Sequence, residues 1–318
     1  ENSSLDDYIL IKSDGWALYH LAAIVDDYLM KITHVLRSSE WLPSLPLHAL
    51  IWRAFGWQEP VWVHLSVFLK PSGKGKMSKR DAADLKQDGY SIFVKDLEDL
   101  GYLPEAVVNW SALMGWSFDD HTEIFNLDSL CEKFSLEKLN PAPAAINFSK
   151  LDYFNKEHIK LLSAHELATR LKPFFLEKGL NADLDTLEKI APQLKERITT
   201  LDDAVDFCAF LFKQNIEYEN HRLLIQNLSQ ADTCEILTDL INILDSIPEW
   251  NKGEMENLLV EYLQKNDLSP GQLFSFLREA ISGQRVTPPL LESMEVLGKE
   301  KTLNRLNNVN KIISENSF

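Results

Sequence analysis

The first 69 residues alternate between apolar segments that predict strands and amphipathic segments that predict helices. Residues 8–11 form a short apolar run that ends in an Asp-Gly turn, and residues 33–36 form a second run. A third run, 61–69, leads directly into a basic loop. Helical patterns over 19–28 and 47–55 separate these three predicted strands. This order predicts a parallel sheet with crossover helices, in which ligands bind at the carboxyl ends of the strands.

Strand patterns become rare after the basic loop. Residues 81–155 predict short helices interrupted by prolines, and longer amphipathic helices follow without an internal repeat that would indicate a solenoid. We therefore expect a mostly α protein with an α/β N-terminal part. The longer predicted helices span about 163–178, 183–195, 200–213, 219–228, 231–245, 252–265 and 269–282.

The sequence also predicts where some helices begin and where order is lost. Ser269-Pro270 and Thr287-Pro288 each combine a capping hydroxyl with a proline that suits the first helical position. Both pairs therefore predict helix starts. Residues 309–318 lose the apolar pattern, and we expect them to be frayed.

Residues 70–80 read Lys-Pro-Ser-Gly-Lys-Gly-Lys-Met-Ser-Lys-Arg and contain five basic residues and no acidic one. The chain as a whole has a formal net charge of -16, so such a cationic loop needs an explanation. Lys76, Lys79 and Arg80 could close over a polyanion, with Ser78 adding a hydrogen bond. The competing interpretation is a solvated basic turn. The sequence Lys-Met-Ser-Lys-Arg directly after an apolar strand favours the polyanion site.

This sequence resembles the KMSKS signature of class I aminoacyl-tRNA synthetases, and the flanking segments resemble the bacterial-type glutamyl-tRNA synthetases. Before the loop the resemblance includes Ser-Asp-Gly-Trp-Ala-Leu-Tyr-His-Leu-Ala at 13–22, and after it Leu-Met-Gly-Trp at 113–116. It covers nearly the whole chain. The further matching segments are residues 25–30, 32–37, 40–44, 103–106, 277–283 and 297–300.

The resemblance implies three domains and an activity. Residues 1–80 would be the second half of a Rossmann-like catalytic domain with the KMSKR loop. Residues 81–155 would be a helical stem-contact domain, and residues 156–318 an all-helical anticodon-binding region. The implied activity is that of a glutamate–tRNA ligase, which forms glutamyl-adenylate from glutamate and ATP and transfers the glutamyl group to tRNA. The implied cofactors are ATP and Mg²⁺, and the implied partners are glutamate, ATP and a glutamate-accepting tRNA.

The resemblance also assigns ATP-binding residues. Lys79, with Lys76, would be catalytic by stabilising the departing pyrophosphate, whereas the competing interpretation of Lys79 is an exposed surface lysine. Trp41 and His64 would flank the adenine, although plain packing explains them as well. The ATP-binding residues implied by the resemblance are Lys76, Ser78, Lys79, Arg80, Trp41 and His64.

Further residues are assigned to glutamate and to the anticodon. Arg37 would pair with the side-chain carboxylate of glutamate, and Tyr19 would contact the amino acid. A surface arginine and a buried core tyrosine are the alternatives. Arg278, Thr287 and Pro288 match family positions that read anticodon bases, whereas a solvated helix face or an ion pair would explain Arg278 equally well.

The sequence departs from the family at several places. The string His-Ile-Gly-His, which marks the other half of the class I catalytic domain, does not occur in it. Ala23 stands where the family has an asparagine, and Ser38-Ser39 follow Arg37 where the family has Gly-Glu or Ala-Glu. A non-catalytic tRNA-binding module derived from a glutamyl-tRNA synthetase is therefore the alternative function. A relative that glutamylates a modified tRNA base is disfavoured, because such proteins lack an anticodon region.

Composition excludes several other classes of protein. Three widely spaced cysteines without a C-x-x-C pair predict neither a disulfide framework nor a zinc site, and they favour a reducing cytosol. No metal site is predicted beyond ATP-bound Mg²⁺, since Asp26 and Asp27 would point about 100° apart on a helix. No apolar run is long enough for a membrane span. We expect a cytoplasmic monomer whose acidity disfavours non-specific nucleic-acid binding.

Overall fold

A computed structural model describes residues 6–219, 223–266 and 268–315 of the chain. The chain divides into two compact units: Glu1–Val94 with Glu105–Leu151 form the first, and Lys95–Pro104 with Asp152–Phe318 form the second. The elements up to residue 161 are α1 (Tyr19–Leu29), β1 (His34–Ser38), α2 (Leu45–Ala54), β2 (Val61–Leu65), β3 (Phe68–Leu69), α3 (Ala82–Gln87), α4 (Val94–Asp99), α5 (Pro104–Leu113), α6 (Leu127–Lys133), β4 (Ala144–Ala145) and α7 (Phe148–Leu161).

The later elements are all helical. Short 3-10 helices lie at Ser39–Ser44, Lys79–Asp81, Leu136–Lys138 and Ala209–Leu211. The α-helices after residue 161 are α8 (Ala164–Glu177), α9 (Leu184–Lys195), α10 (Asp203–Cys208), α11 (Gln230–Asp245), α12 (Lys252–Asn266), α13 (Pro270–Ser282), α14 (Leu290–Leu297) and α15 (Lys299–Glu315). The predicted fold class, mostly α with an α/β N-terminal part, is confirmed.

The first unit begins with a small α/β layer. β1 and β2 pair in parallel, and the crossover between them contains α2. Helices α1 and α2 pack together around Ile24, Ile51 and Trp52, which are buried. The apolar side chains of both helices recur on one face, which is the pattern that buries a helix against a sheet. A parallel strand pair with a helical crossover was predicted and is confirmed.

Two strand predictions in this unit are wrong. Residues 8–11 form no sheet strand, because the chain turns back after them and Ile11 makes only an isolated antiparallel bridge to Ala17. The predicted strand 61–69 is two strands, since the chain leaves the β1–β2 pair after Leu65. β3 instead pairs in parallel with β4, whose partner residues lie far away in the sequence. Apolar periodicity cannot detect this change of partner.

Helices dominate the second unit, and serine caps fix where several of them begin. The hydroxyls of Ser163, Ser229 and Ser269 each accept from the backbone N–H three residues later. The N–H of each serine donates in return to the side chain of that later residue, which completes a capping box. The predicted helix start at Ser269-Pro270 is therefore confirmed. The side chains that α11 to α15 contribute to one core include Leu237, Leu240, Leu244, Leu259, Leu277, Met294, Leu306 and Val309.

Three helix predictions in the second unit need correction. Residues 223–228 of the predicted helix 219–228 form turns and bends, and residues 220–222 lie outside the described residues. The helix predicted at Thr287-Pro288 begins later, at Leu290, because the Thr287 hydroxyl donates to the neighbouring Pro288 carbonyl and does not cap the helix. Residues 309–315 belong to α15 and are not frayed, since Val309 and Ile313 are fully buried; residues 316–318 lie outside the described residues.

In the part of the chain that the structure describes, no helix combines the length and the apolarity that a bilayer crossing requires.

Candidate functional site

Arg37 is the centre of a polar cluster at the β1–β2 sheet. The parallel register places Arg37 directly opposite His64, and its Nε donates to His64 Nε2 over 3.3 Å. Its Nη1 donates to Nδ1 of His48, on α2, over 3.1 Å. The guanidinium carbon also lies 5.0 Å from the ring centre of Trp62. Two imidazoles and one indole therefore hold the guanidinium.

The protonation of the two histidines follows from Arg37. A guanidinium only donates hydrogen bonds, so His48 Nδ1 and His64 Nε2 must both be unprotonated acceptors. Burial, followed by the charge of Arg37 and by His20, lowers the pKa of His48 to about 4. Burial and Arg37 also lower the pKa of His64. Both rings are neutral acceptors at neutral pH.

The positive charge of Arg37 has no carboxylate in salt-bridge range among the described residues. Its Nη2 is buried and has no hydrogen-bond partner in that part of the chain. Burial lowers the pKa of Arg37, and the more distant Tyr19 and Asp27 oppose this shift. A half-buried guanidinium that keeps its charge and a free nitrogen is suited to bind an anion, above all a carboxylate.

Tyr19 and Trp41 lie beside this cluster. Their ring centres are 4.9 Å apart, and the Tyr19 ring also lies 6.4 Å from that of His48. Tyr19 is 54% exposed, so it is not a core tyrosine. Ala23 follows one turn later on α1, at the spacing that places it on the same helix face as Tyr19. The structure thus brings Tyr19, Arg37, Trp41 and His64 together.

The basic loop is a folded turn at the end of β3. Met77 is buried, and its N–H donates to the Phe68 carbonyl over 2.8 Å. Asp81 accepts from Lys70 Nζ at 2.6 Å and from both the N–H and the hydroxyl of Ser78. The hydrogen bond from Lys70, followed by the one from the Ser78 hydroxyl, lowers the pKa of Asp81 to about 2. One carboxylate thus holds the loop together.

The loop cations differ in their partners. Lys76 forms an ion pair with Glu40, which belongs to the 3-10 helix after β1. Lys79 and Arg80 are exposed and have neither a hydrogen bond nor an ion pair within the described residues. These two side chains are the ones that a bound anion can recruit without breaking an existing contact.

A cleft of about 470 Å³ lies between the end of β2 and the loop. Leu65 and Ser66 contribute the strand side, and Lys76, Ser78 and Lys79 contribute the loop side. The prediction that the basic loop begins at the carboxyl end of a parallel strand is confirmed, since residue 70 directly follows β3, which pairs in parallel with β4. Trp41 and His64 do not line this cleft, and the structure places them with Arg37. Their assignment to adenine stays a prediction.

Sequence reasoning missed several residues of the site. His20, His48 and Trp62 join Arg37 only because α1, α2 and β2 converge there. Glu40 and Asp81 are the acidic partners of the loop cations. The sequence could have indicated Asp81 as a partner of the loop, since it is the acidic residue that directly follows the basic run 70–80. For His20 and His48, only the packing of α1 and α2 reveals the contact.

In the second unit, Arg278 is half-buried on α13 and its Nε has no partner within the described part of the chain. Burial, followed by the charge of Arg197, lowers the pKa of Arg278. Thr287 and Pro288 are buried. The Nε of Arg278 is thus buried without a partner there, while Thr287 and Pro288 contribute to the packing before α14.

Comparison with known proteins identifies the two parts of the chain. The model of the "tRNA synthetases class I (E and Q), catalytic domain" matches residues 1–153, and that of the "Anticodon binding domain" matches residues 166–310. The glutamate–tRNA ligase of Dehalococcoides mccartyi strain BAV1 is 38% identical over 312 residues. The chain is therefore similar to the glutamate–tRNA ligases over 96% of its length. Its two matched regions are similar to a class I synthetase catalytic domain and to an anticodon-binding domain.

Other relatives and solved structures agree. The glutamate–tRNA ligase of Roseiflexus castenholzii is 37% identical, with 96% of this chain and 60% of that protein covered. A glutamate tRNA ligase from Elizabethkingia meningosepticum, solved in complex with its amino acid, superposes with a TM-score of 0.85 at 32% identity. The match covers 97% of this chain and 63% of that structure. The Dehalococcoides match covers 96% of this chain and 62% of the relative, so the chain spans about three fifths of these ligases.

Proposed function

We propose that this chain is the C-terminal part of a glutamate–tRNA ligase, lacking the half that bears His-Ile-Gly-His. The observation that carries the proposal is the cleft in which the end of β2 meets the basic loop, with Lys79 and Arg80 exposed and unpaired among the described residues. Such an arrangement suits the phosphates of ATP. The proposed setting is a cytoplasmic monomer.

The loop residues fit ATP by their donor chemistry. Lys76, Ser78, Lys79 and Arg80 offer cationic and hydroxyl donors, and Lys79 would stabilise the charge that grows on the departing pyrophosphate. Lys76 must first release Glu40, which couples loop movement to ATP binding. Mg²⁺ would neutralise phosphate charge. Since the described residues contain no group of three or more metal-ligating side chains, we propose that the phosphates bring the ion.

We propose that Arg37 binds the side-chain carboxylate of glutamate. Its Nη2 is free of partners in the described part of the chain, and its charge is not neutralised by a carboxylate there. Tyr19, exposed beside it, would contact the amino acid, and Trp41 and His64 would border the same pocket. The α-carboxylate of the bound glutamate would then attack the α-phosphate of ATP in line, so that glutamyl-adenylate forms and pyrophosphate leaves.

We propose that the helical part of the chain binds tRNA. Residues 81–155 would contact the acceptor stem, and residues 156–318 the anticodon. Arg278 is the strongest candidate for a contact with unstacked bases, because its Nε lacks a partner among the described residues. Thr287 and Pro288 would set the backbone near those bases.

A second candidate is a tRNA-binding module without adenylate formation. Two sequence features favour it: Ala23 removes the amide that the family places next to the amino acid, and the His-Ile-Gly-His string does not occur in the chain. The intact loop counts against it, because a module that only binds tRNA has no use for Lys79 aimed at a cleft.

Glutamate charging tests the proposal. The purified chain is assayed with ATP, glutamate and glutamate-accepting tRNA, alone and with a separately expressed N-terminal part of the Dehalococcoides ligase. We expect charging only when that part is added. Lys79→Ala should lower the charging rate about 100-fold or more, the typical effect of removing one transition-state donor. The control Lys74→Ala, an exposed lysine of the same loop, should change it less than about twofold. Retained tRNA binding without charging would establish the binding module instead.

A further inference from the structure

We infer that His48 is a positioning residue for Arg37: its Nδ1 holds the guanidinium in the orientation that leaves Nη2 without a protein partner among the described residues, and His20 fixes the required tautomer. This inference rests on the proposed binding of glutamate by Arg37. It assigns a role to two residues that do not belong to the predicted site.

His48 is placed for this role by burial and by two contacts. It is only 3% exposed, on the face of α2 that packs towards β1 and β2. Its Nδ1 lies 3.1 Å from Arg37 Nη1, and its Nε2 lies 2.8 Å from His20 Nδ1. Both ring nitrogens therefore have a partner, as a buried imidazole requires.

Only one set of proton positions satisfies both contacts. Arg37 can only donate, so His48 Nδ1 carries no proton, and the neutral ring must then carry its proton on Nε2. That N–H donates to His20 Nδ1, which must be the acceptor. A proton on His48 Nδ1 would place two donors face to face and two positive charges together. The geometry thus requires a neutral His48 with the proton on Nε2.

Because His48 is a neutral acceptor, Arg37 keeps its positive charge, which a carboxylate at this position would neutralise. Asp or Glu at this position would also accept from Nη1, but it would neutralise Arg37 and compete with the substrate. His48 and His64 take up Nη1 and Nε without neutralising the charge, and Trp62 fixes the plane. What remains is a charged, oriented Nη2. Preorganisation of this kind lowers the cost of ordering the side chain on binding.

Two variants separate this role from simple packing. In His48→Asn, the amide oxygen can occupy the place of Nδ1 and still accept from Arg37. In His48→Gln, the terminal amide reaches the place of Nε2, so the acceptor for Arg37 is lost, although Gln matches the volume of His more closely. A role in packing alone predicts that Gln is tolerated better than Asn. Positioning predicts the opposite order.

The kinetic measurement uses the reconstituted charging assay with the chain and the added N-terminal part. We expect His48→Gln to raise the KM for glutamate about 10-fold or more, the order expected for one lost hydrogen bond to a charged group, with little change in kcat or in the KM for ATP. His48→Asn should stay within about threefold of the wild type. Equal effects of both variants, or a greater effect of Asn, would overturn the inference.

A spectroscopic measurement on the unmodified chain is independent of activity. The ¹⁵N resonances of the His48 ring should show the neutral tautomer with the proton on Nε2, and the Arg37 side-chain N–H signals should be protected from exchange. His48→Gln should remove that protection, and His48→Asn should keep it. A proton on Nδ1 would refute the inference. Failure of wild-type glutamate charging would instead refute the proposed function, and the tautomer would still decide whether His48 positions Arg37.

Discussion

Asn155 is expected to be one of the most sensitive polar residues of the second unit. It is fully buried on α7, its Oδ1 accepts from the Leu103 N–H over 2.8 Å, and its Nδ2 donates to the Thr199 carbonyl over 2.6 Å. One side chain thus connects three segments that are distant in the sequence. Asn155→Ala leaves the buried Leu103 N–H and the partly buried Thr199 carbonyl without this partner. At about 1–3 kcal/mol for the buried N–H, and less for a carbonyl that water can partly reach, we expect a loss of about 1–4 kcal/mol in the free energy of unfolding.

Urea unfolding measures this loss, and two signals distinguish the units. Seven of the eight tryptophans belong to the first unit, so fluorescence reports mainly on that unit, whereas far-UV circular dichroism reports mainly on the helices of the second. Asn155→Ala should shift the circular-dichroism midpoint. Asn109→Ala is the matched control, since Asn109 is fully buried and bridges Glu123 and Phe125 within the first unit.

The result for Asn109→Ala should be a shifted fluorescence midpoint. If Asn155→Ala lowers the free energy of unfolding by less than about 1 kcal/mol, the two hydrogen bonds of Asn155 stabilise the fold less than expected. A shift of the fluorescence midpoint alone in Asn155→Ala would likewise contradict the reasoning. Midpoints and slopes are compared separately for each signal, because a chain with two units need not unfold in one transition.

Three further predictions concern the site. Arg37→Lys should weaken glutamate binding by the reconstituted protein roughly 10- to 150-fold, because one ammonium cannot replace a guanidinium with two donor nitrogens and a charged hydrogen bond contributes about 1.5–3 kcal/mol. Unchanged affinity in a calorimetric titration would contradict the assignment of Arg37 to the glutamate carboxylate. Asp81→Asn should speed tryptic cleavage in the loop several-fold relative to the exposed control Asp84→Asn, since it weakens the hydrogen bonds from Lys70 and Ser78. Equal cleavage rates in the two variants would show that the Asp81 carboxylate does not hold the loop. The free energy of unfolding should fall as the pH falls from 6.5 to 4, by at most about 1.4 kcal/mol per pH unit. The reason is that His48 takes up its proton at the usual pKa of 6.5 in the unfolded chain but only at a pKa of about 4 in the folded chain. If the free energy of unfolding of His48→Asn depends on pH as steeply as that of the wild type, His48 is not the cause.

Much of the site could be predicted because its chemistry is local. The basic loop is continuous in the sequence, and the apolar run before it places the loop at the end of a strand. Arg37 follows from a strand end in the same way. The partners of Arg37 could not be predicted, since His20 and His48 come from two helices whose packing decides which faces meet. Thr287-Pro288 shows the limit of a local rule: the pair has the composition of a helix start, but its hydroxyl is used on the adjacent carbonyl.

Sequence patterns alone were enough to predict most of the helices, the cap at Ser269, the parallel β1–β2 pair and the cationic loop, because these depend on periodicity, on capping side chains and on charge within a few residues. Only the tertiary structure decided the pairing of β3 with β4, the contact of Glu40 with Lys76 and the neutral histidines around Arg37. Each of these joins residues far apart along the chain. Such contacts form when apolar faces are buried together, and burial then selects which polar groups must find one another.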